Sequence, residues 1–232
     1  ICATHPLNGC TRQAHHLTLQ IGERRMTLVD LPGIGETPQH DQEYRALYHQ
    51  LLPELDLIIW ILRADERAYA ADIAMHQFLL NEDADPSRFL FVLSHADRVF
   101  PAEEWNDTEK CPSRQQELSL ATVTARVATL FPSSFPVLSV AAPVGWNLQA
   151  LVSLMIHALP PQATSAVYSH IRNEKRTAQD QQHAQQAFGD AIGQSFDAAI
   201  ARFSFPAWML QLLRKARDRI IRLLITLWDR LF

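Results

Sequence analysis

Asp30, Pro32 and Gly33 lie in the stretch DLPGIGE, directly after the apolar run MTLV. An aspartate at a strand end can hold Mg²⁺, usually through water, and a glycine just beyond it lets a backbone N–H come close to a phosphate. The pattern is short, and Pro-Gly is also common in plain strand-to-loop turns. A second carboxylate, Asp97, ends the stretch Ser94-His95-Ala96-Asp97 after the run RFLFVL. A carboxylate accepts two hydrogen bonds side by side, and the ring N1–H and exocyclic amine of guanine offer that pair where adenine does not. A third stretch, Ala141-Ala142-Pro143-Val144-Gly145-Trp146-Asn147-Leu148, follows PVLSV, and the backbone N–H of Ala142 is a donor for the guanine O6.

Each stretch follows a segment that reads as a strand. Apolar or alternating runs fall at LTLQI (17–21), MTLVD (26–30), LDLIIWIL (55–62), RFLFVLS (88–94) and PVLSVAA (136–142). The last three are continuous and rich in β-branched or aromatic residues, the pattern of strands buried on both faces of a parallel sheet. Helical spacing occupies 43–52, 68–80, 114–131 and 147–159. Alternating strands and helices make βαβ units, hence an α/β fold with a mostly parallel sheet flanked by helices. The short gap Gly22 to Arg25 suits an antiparallel hairpin at a sheet edge. In open α/β sheets ligands bind at the carboxyl ends of strands. Three stretches in order, each at such an end, point together to a guanine-nucleotide site where each alone would not.

The residues TLVDLPGIGE, EYRALYHQLLPELDLIIWILRADERA, FVLSHADR and VAAPVGWNLQALVSLMIHALP resemble bacterial GTPases of the Era and TrmE type, and most of all the YfjP-like and YeeP-like GTP-binding proteins. The likeness is dense over about residues 8–160 and loose over the C-terminal helices. It implies a P-loop NTPase-like G domain, GTP or GDP with Mg²⁺ as ligands, and a ribosome or RNA as partner. Carried over by position, Thr11 and Asp30 would serve Mg²⁺, and Asp30, Pro32 and Gly33 form the segment that senses the γ-phosphate. Asp97 would read guanine. Ser94 and His95 stand where the family has Asn and Lys, and Ala141 and Ala142 where it has Ser-Ala.

The family's first strand, phosphate loop and first helix have no counterpart here, so the resemblance is to a G domain truncated at its N-terminus. No GxxxxGK[S/T] occurs, and the three lysines, Lys110, Lys175 and Lys215, are followed by Cys, Arg and Ala. That loop supplies a nest of N–H donors, a helix N-terminus and a lysine to the phosphates. Losing four charge-assisted bonds, at about 1.5 to 3 kcal/mol each, weakens binding at least about 10⁴-fold. The expectation is therefore weak nucleotide binding and no hydrolysis. The missing strand lies near the sheet centre in this fold, so its neighbours' edges should be exposed. The first residue is Ile, which fits a start inside a longer reading frame.

A hydrophobic content of 47% and a charged content of 20% describe an ordinary globular chain. Its net charge of −4 argues against a general nucleic-acid coat, but the charge is uneven. Residues 206–232 hold six Lys or Arg against Asp218 and Asp229, so that segment carries +4 and the remainder −8. Three cysteines, Cys2, Cys10 and Cys111, are too few for a disulfide framework. With no signal-peptide pattern at the start, they suggest the cytoplasm. Cys2, His5, Cys10, His15 and His16 are soft-metal ligand types at a spacing that matches no zinc finger. A Ser94–His95–Asp97 triad is ruled out, because neighbours at a strand end point to opposite faces and the Ser–His contact it needs cannot form.

After Pro160 and Pro161, which read as closing a first domain of residues 1–160, a polar helical segment covers about 171–203. Pro206 breaks it, and a last helix has apolar residues at Met209, Leu212, Leu213, Ala216, Ile220, Leu223, Leu224, Leu227 and Leu231. Charges interrupt it too often for a bilayer span. It is expected to pack on the preceding helix with arginines outward. The alternative is a non-enzymatic interaction protein whose last helix, 206–232, binds the inner-membrane surface, RNA or a partner helix.

Overall fold

The computed structural model describes residues 13–21, 24–35, 37–171, 173–201 and 207–226. These fall into two compact units, one built on Thr27–Ala158 and the other on Leu159 onward with the hairpin end Leu19–Met26.

The order of elements is β1 (His15–Ile21), β2 (Arg24–Asp30), α1 (Pro38–Leu51), β3 (Ile58–Arg63), α2 (Ala70–Asn81), β4 (Phe89–Ser94), α3 (Arg114–Leu130), β5 (Leu138–Ser139), α4 (Leu148–Ala158), α5 (Pro161–His170), α6 (Ala178–Ala201) and α7 (Ala207–Thr226). Strands β3, β4 and β5 form a parallel sheet in that order, with Ile58 opposite Phe89 and Val92 opposite Leu138. β4 is central and buried from Phe89 to Leu93. Its alternation sends Phe89, Phe91 and Leu93 to one face, packed with Trp60, Met75, Leu79, Val127 and Phe131. Leu90 and Val92 go to the other face, where Leu148, Leu151, Leu154 and Met155 of α4 cover them. Helices therefore flank both faces, the α/β architecture that the alternating runs predict. Fully burying each such aromatic or leucine contributes about 1.5 to 3 kcal/mol, so the first face is the main source of cohesion.

Several expectations are corrected. β1 and β2 form a separate two-stranded sheet, and among the described residues β3 pairs only with β4. The run LDLIIWIL is therefore not buried on both faces, and Ile61 is 65% exposed. The hairpin is bare too, with Leu17 58% and Leu28 43% exposed. The prolines after Leu159 begin a helix instead of only ending a domain: Pro160 caps α5 and Pro161 opens it. Proline suits the first helical turn because its missing N–H would have no partner there. β5 spans only two residues, because the following residues leave the sheet to form the loop at Ala141.

α3 starts on a capping box in which Ser113 Oγ accepts from the Gln116 N–H and the Gln116 side chain accepts from the Ser113 N–H. The same buried Gln116 donates through Nε2 to the Val99 carbonyl at 3.0 Å. One side chain thus satisfies a helix end and fixes the segment just after Asp97.

Candidate nucleotide site

At the carboxyl ends of the parallel strands, backbone hydrogen bonds bring two of the three stretches together. Val140 N–H donates to Leu93 O at 2.8 Å, Ala96 N–H to Val140 O at 3.1 Å, and Ala64 N–H to Ser94 O at 2.9 Å. The loops carrying Asp97 and Ala142 are therefore neighbours by construction. A tryptophan pair fastens them: Trp105 and Trp146 meet edge to face with centroids 5.9 Å apart. They lie in the loops that follow β4 and β5, and the motif reading gave the pair no role.

Asp97 sits in a short 3₁₀ turn, Ala96–Arg98. It is half-buried, and its Oδ1 is shielded with no hydrogen-bond partner in the protein. A shielded carboxylate oxygen without a donor is costly, and a ligand presenting paired N–H groups would satisfy it. In the facing loop, the N–H and C=O of Ala141 are both used by Trp146, at 3.3 and 3.1 Å. Ala141 is fully buried and Ala142 exposed. Gly145 closes the turn at φ 79°, and Asn147 Nδ2 donates to Ser139 O at 2.8 Å. The structure thus commits Ala141 to the loop and leaves Ala142 at its surface.

Ser94 and His95 depart from the expectation that they cannot touch. Ser94 Oγ and His95 Nδ1 are 3.1 Å apart. The alternation rule fails because His95 has left the strand for the left-handed region, at φ 56° and ψ 39°. The contact is still not a nucleophile pair. Ser94 Oγ donates its one proton to Leu62 O at 3.0 Å, so it accepts from His95 Nδ1–H, and the imidazole has no serine proton to remove. Ser94 braces β3, and His95 braces Ser94.

The DLPGIGE stretch is anchored separately. Pro32 is buried and its carbonyl accepts from Tyr48 Oη at 2.7 Å. Burial and the nearby Asp72 and Asp30 carboxylates push the Tyr48 phenol far up, so it stays protonated and keeps this bond. Gly35 N–H donates to Asp41 Oδ1 at 2.8 Å. Gly35, at φ 91°, lies against Ala71 in the first turn of α2, the helix that follows the carboxyl end of β3. Gly33 is exposed, and a Cβ there would meet nothing within 4 Å. The glycine that the fold requires is therefore Gly35, while Gly33 stays open on its surface. Asp30 is exposed at the end of β2.

Thr11 lies outside the described residues, as do Cys2, His5 and Cys10 of the metal-type cluster. His15 and His16 are both exposed. No group of three or more His, Cys, Asp or Glu that could hold a metal ion occurs among the described residues. Mg²⁺ does not need one, since it commonly takes one or two carboxylates together with phosphate oxygens and water. Asp30 is a fitting donor of that kind. Beside the site, Arg63 and Asp65 pair at 3.1 and 2.7 Å at the end of β3. The guanidinium bond holds the Asp65 carboxyl below its usual range.

A family model described as 50S ribosome-binding GTPase matches residues 1–95. Three Escherichia coli (strain K12) proteins are similar along most of the chain, all of them named as uncharacterized. YfjP is 33% identical over 224 residues, covering 97% of this chain and 76% of that protein. YkfA is 32% identical with the same coverage, and YeeP is 32% identical over 185 residues, 80% of this chain and 77% of that protein. Among solved structures, Era of Aquifex aeolicus bound to GDP·AlF4⁻ is similar with a TM-score of 0.50 at 21% identity, over 69% of this chain and 49% of that chain. That likeness is one of fold. With relatives aligned along almost its whole length, the chain belongs to the family of YfjP, YkfA and YeeP, and its fold is the P-loop GTPase fold seen in Era.

Proposed function

We propose that the chain is a guanine-nucleotide-binding protein of the Era and TrmE type whose 232 residues, as they stand, bind nucleotide weakly and do not hydrolyse it. The observation that carries the reading is Asp97, whose shielded Oδ1 has no partner, on a loop joined to that of Ala142 through the Ala96–Val140 hydrogen bond. Guanine N1–H and its exocyclic amine would satisfy the carboxylate, and the Ala142 N–H would meet O6. Asp30, Thr11 and the phosphates would hold Mg²⁺, which supplies charge neutralisation. Gly33 would approach the γ-phosphate. Hydrolysis needs more than this, because no GxxxxGK[S/T] occurs in these residues. That β3 pairs only with β4 among the described residues supports a G domain without its central strand.

Residues 1–160 are assigned to this domain and 161–232 to a helical effector region. The ribosome named in the family description makes an RNA-rich partner in the cytoplasm the matching expectation. Titration with a fluorescent GTP analogue tests the reading. Binding weaker than about 10 µM that GDP competes and ADP does not is expected; tighter binding contradicts the weak-site reading, and indifference to the base contradicts the role of Asp97.

A further inference from the structure

The last helix carries a charge pattern that the nucleotide site does not use. α7 packs on α6 across two glycines one turn apart. A Cβ at Gly189 would stand 3.1 Å from Ile225 Cδ1 and 3.2 Å from Ile221 Cγ2, and one at Gly193 3.4 Å from Ile221 Cδ1. The apolar side of α7 at Ile221 and Ile225 is thus turned onto α6. Arg217 bonds Asp197 of α6 and, at 3.0 Å, Asp218, which accounts for the carboxylate within α7. Arg214, Lys215, Arg219 and Arg222 are exposed. Arg222 Nε also donates to Asp218 O at 3.2 Å. These four cations occupy about 12 Å of helix at 1.5 Å per residue.

A helix that lies on a membrane needs an exposed apolar side to bury among acyl chains. Here Ile221 and Ile225 are against α6, and Ile220, 43% exposed, is the one large apolar residue exposed among the described side chains of α7. A run of exposed cations suits a phosphate backbone, where affinity comes from displaced counterions. The acidic remainder of the chain, at −8, would repel a polyanion elsewhere and confine it to this helix. We infer that the exposed cations of α7, Arg214 at the cleft beside α6 and Lys215, Arg219 and Arg222 farther round the helix, bind the phosphate backbone of RNA. This deepens the reading above by naming the surface that meets its RNA-rich partner.

The test is fluorescence anisotropy of a labelled RNA hairpin with the full chain, without nucleotide, across a salt series. Four phosphate contacts predict that log K falls with log salt at a slope of about −3. The variant R214Q/K215Q/R219Q/R222Q keeps good helix formers, so far-UV circular dichroism should be unchanged. Its affinity should drop about 10²- to 10³-fold at about 0.1 M salt, and the single variant Arg219→Gln should cost about 5- to 8-fold. An unchanged affinity or slope in the fourfold variant overturns the inference. So does absence of binding at low salt, or flotation with phosphatidylglycerol vesicles in place of RNA binding, which would assign the stripe to a membrane. Nucleotide binding is scored separately with Asp97→Ala, so failure of the guanine site leaves this result readable.

Discussion

The backbone N–H of Ala96 donates to the carbonyl of Val140 at 3.1 Å, and this one bond joins the loop that holds Asp97 to the loop that holds Ala142. Asp97→Asn tests what the pair is for. The substitution removes a charge whose Oδ1 has no protein partner, so the ligand-free protein should be unchanged or up to about 1 kcal/mol more stable in urea. Guanine nucleotide affinity should fall by about 10-fold or more as one charge-assisted bond is lost. Loss of stability with unchanged binding would make Asp97 a structural residue.

The two glycines of DLPGIGE should behave oppositely. Gly35→Ala places a Cβ 3.3 Å from Ala71 Cβ at φ 91°, and should destabilise by about 1 to 2 kcal/mol in chemical denaturation. Gly33→Ala meets nothing within 4 Å and should leave the denaturation midpoint within error. Any effect of Gly33→Ala is expected in titrations with the triphosphate and not with the diphosphate.

His76 makes stability depend on pH. It is 2% exposed and meets Phe89, Phe91, Phe131 and Trp60 edge to face at 5.0 to 5.9 Å, and burial lowers its pKa from 6.5. Above 6.5 the imidazole is neutral folded and unfolded, so its contribution is fully present. As pH falls through 6.5 the unfolded chain takes up a proton that the folded chain refuses, and stability drops by up to about 1.4 kcal/mol per unit until the lowered folded pKa is reached. His76→Leu should flatten that part of the urea-midpoint profile. A profile identical to the parent's would show that His76 does not set it.

At the α6–α7 contact, size should decide. Gly189→Leu drives a side chain into Ile221 and Ile225, already 3.1 to 3.2 Å from a Cβ position, and should reduce thermal stability by about 2 kcal/mol or more. Gly193→Ala, at 3.4 Å from Ile221, should be neutral or up to about 1 kcal/mol stabilising through its helix propensity. Equal effects from both would mean that α6 and α7 do not pack in this register.

Local pattern made much of this protein readable. The alternation of FLFVLS placed Phe89 and Phe91 on one face and Leu90 and Val92 on the other, because side chains along a strand alternate whatever surrounds them. The stretches with Asp97 and Ala142 were each expected at a strand end, and the two loops do lie side by side there, joined by the Ala96–Val140 hydrogen bond.

Tertiary contacts decided the rest. That Gly35 and not Gly33 is conformationally required depends on the approach of Ala71, some 36 positions along the chain. The Ser94–His95 contact depends on a left-handed turn, and Ser94 spends its proton on a carbonyl of the neighbouring strand. The helix at Pro161–His170 depends on proline being placed at a first turn. The bare side of β3 at Ile61 depends on what packs over that face of the sheet. Composition and periodicity fix which way a residue points within its own element; which groups meet, and which stay open to a ligand, is settled only when distant segments pack.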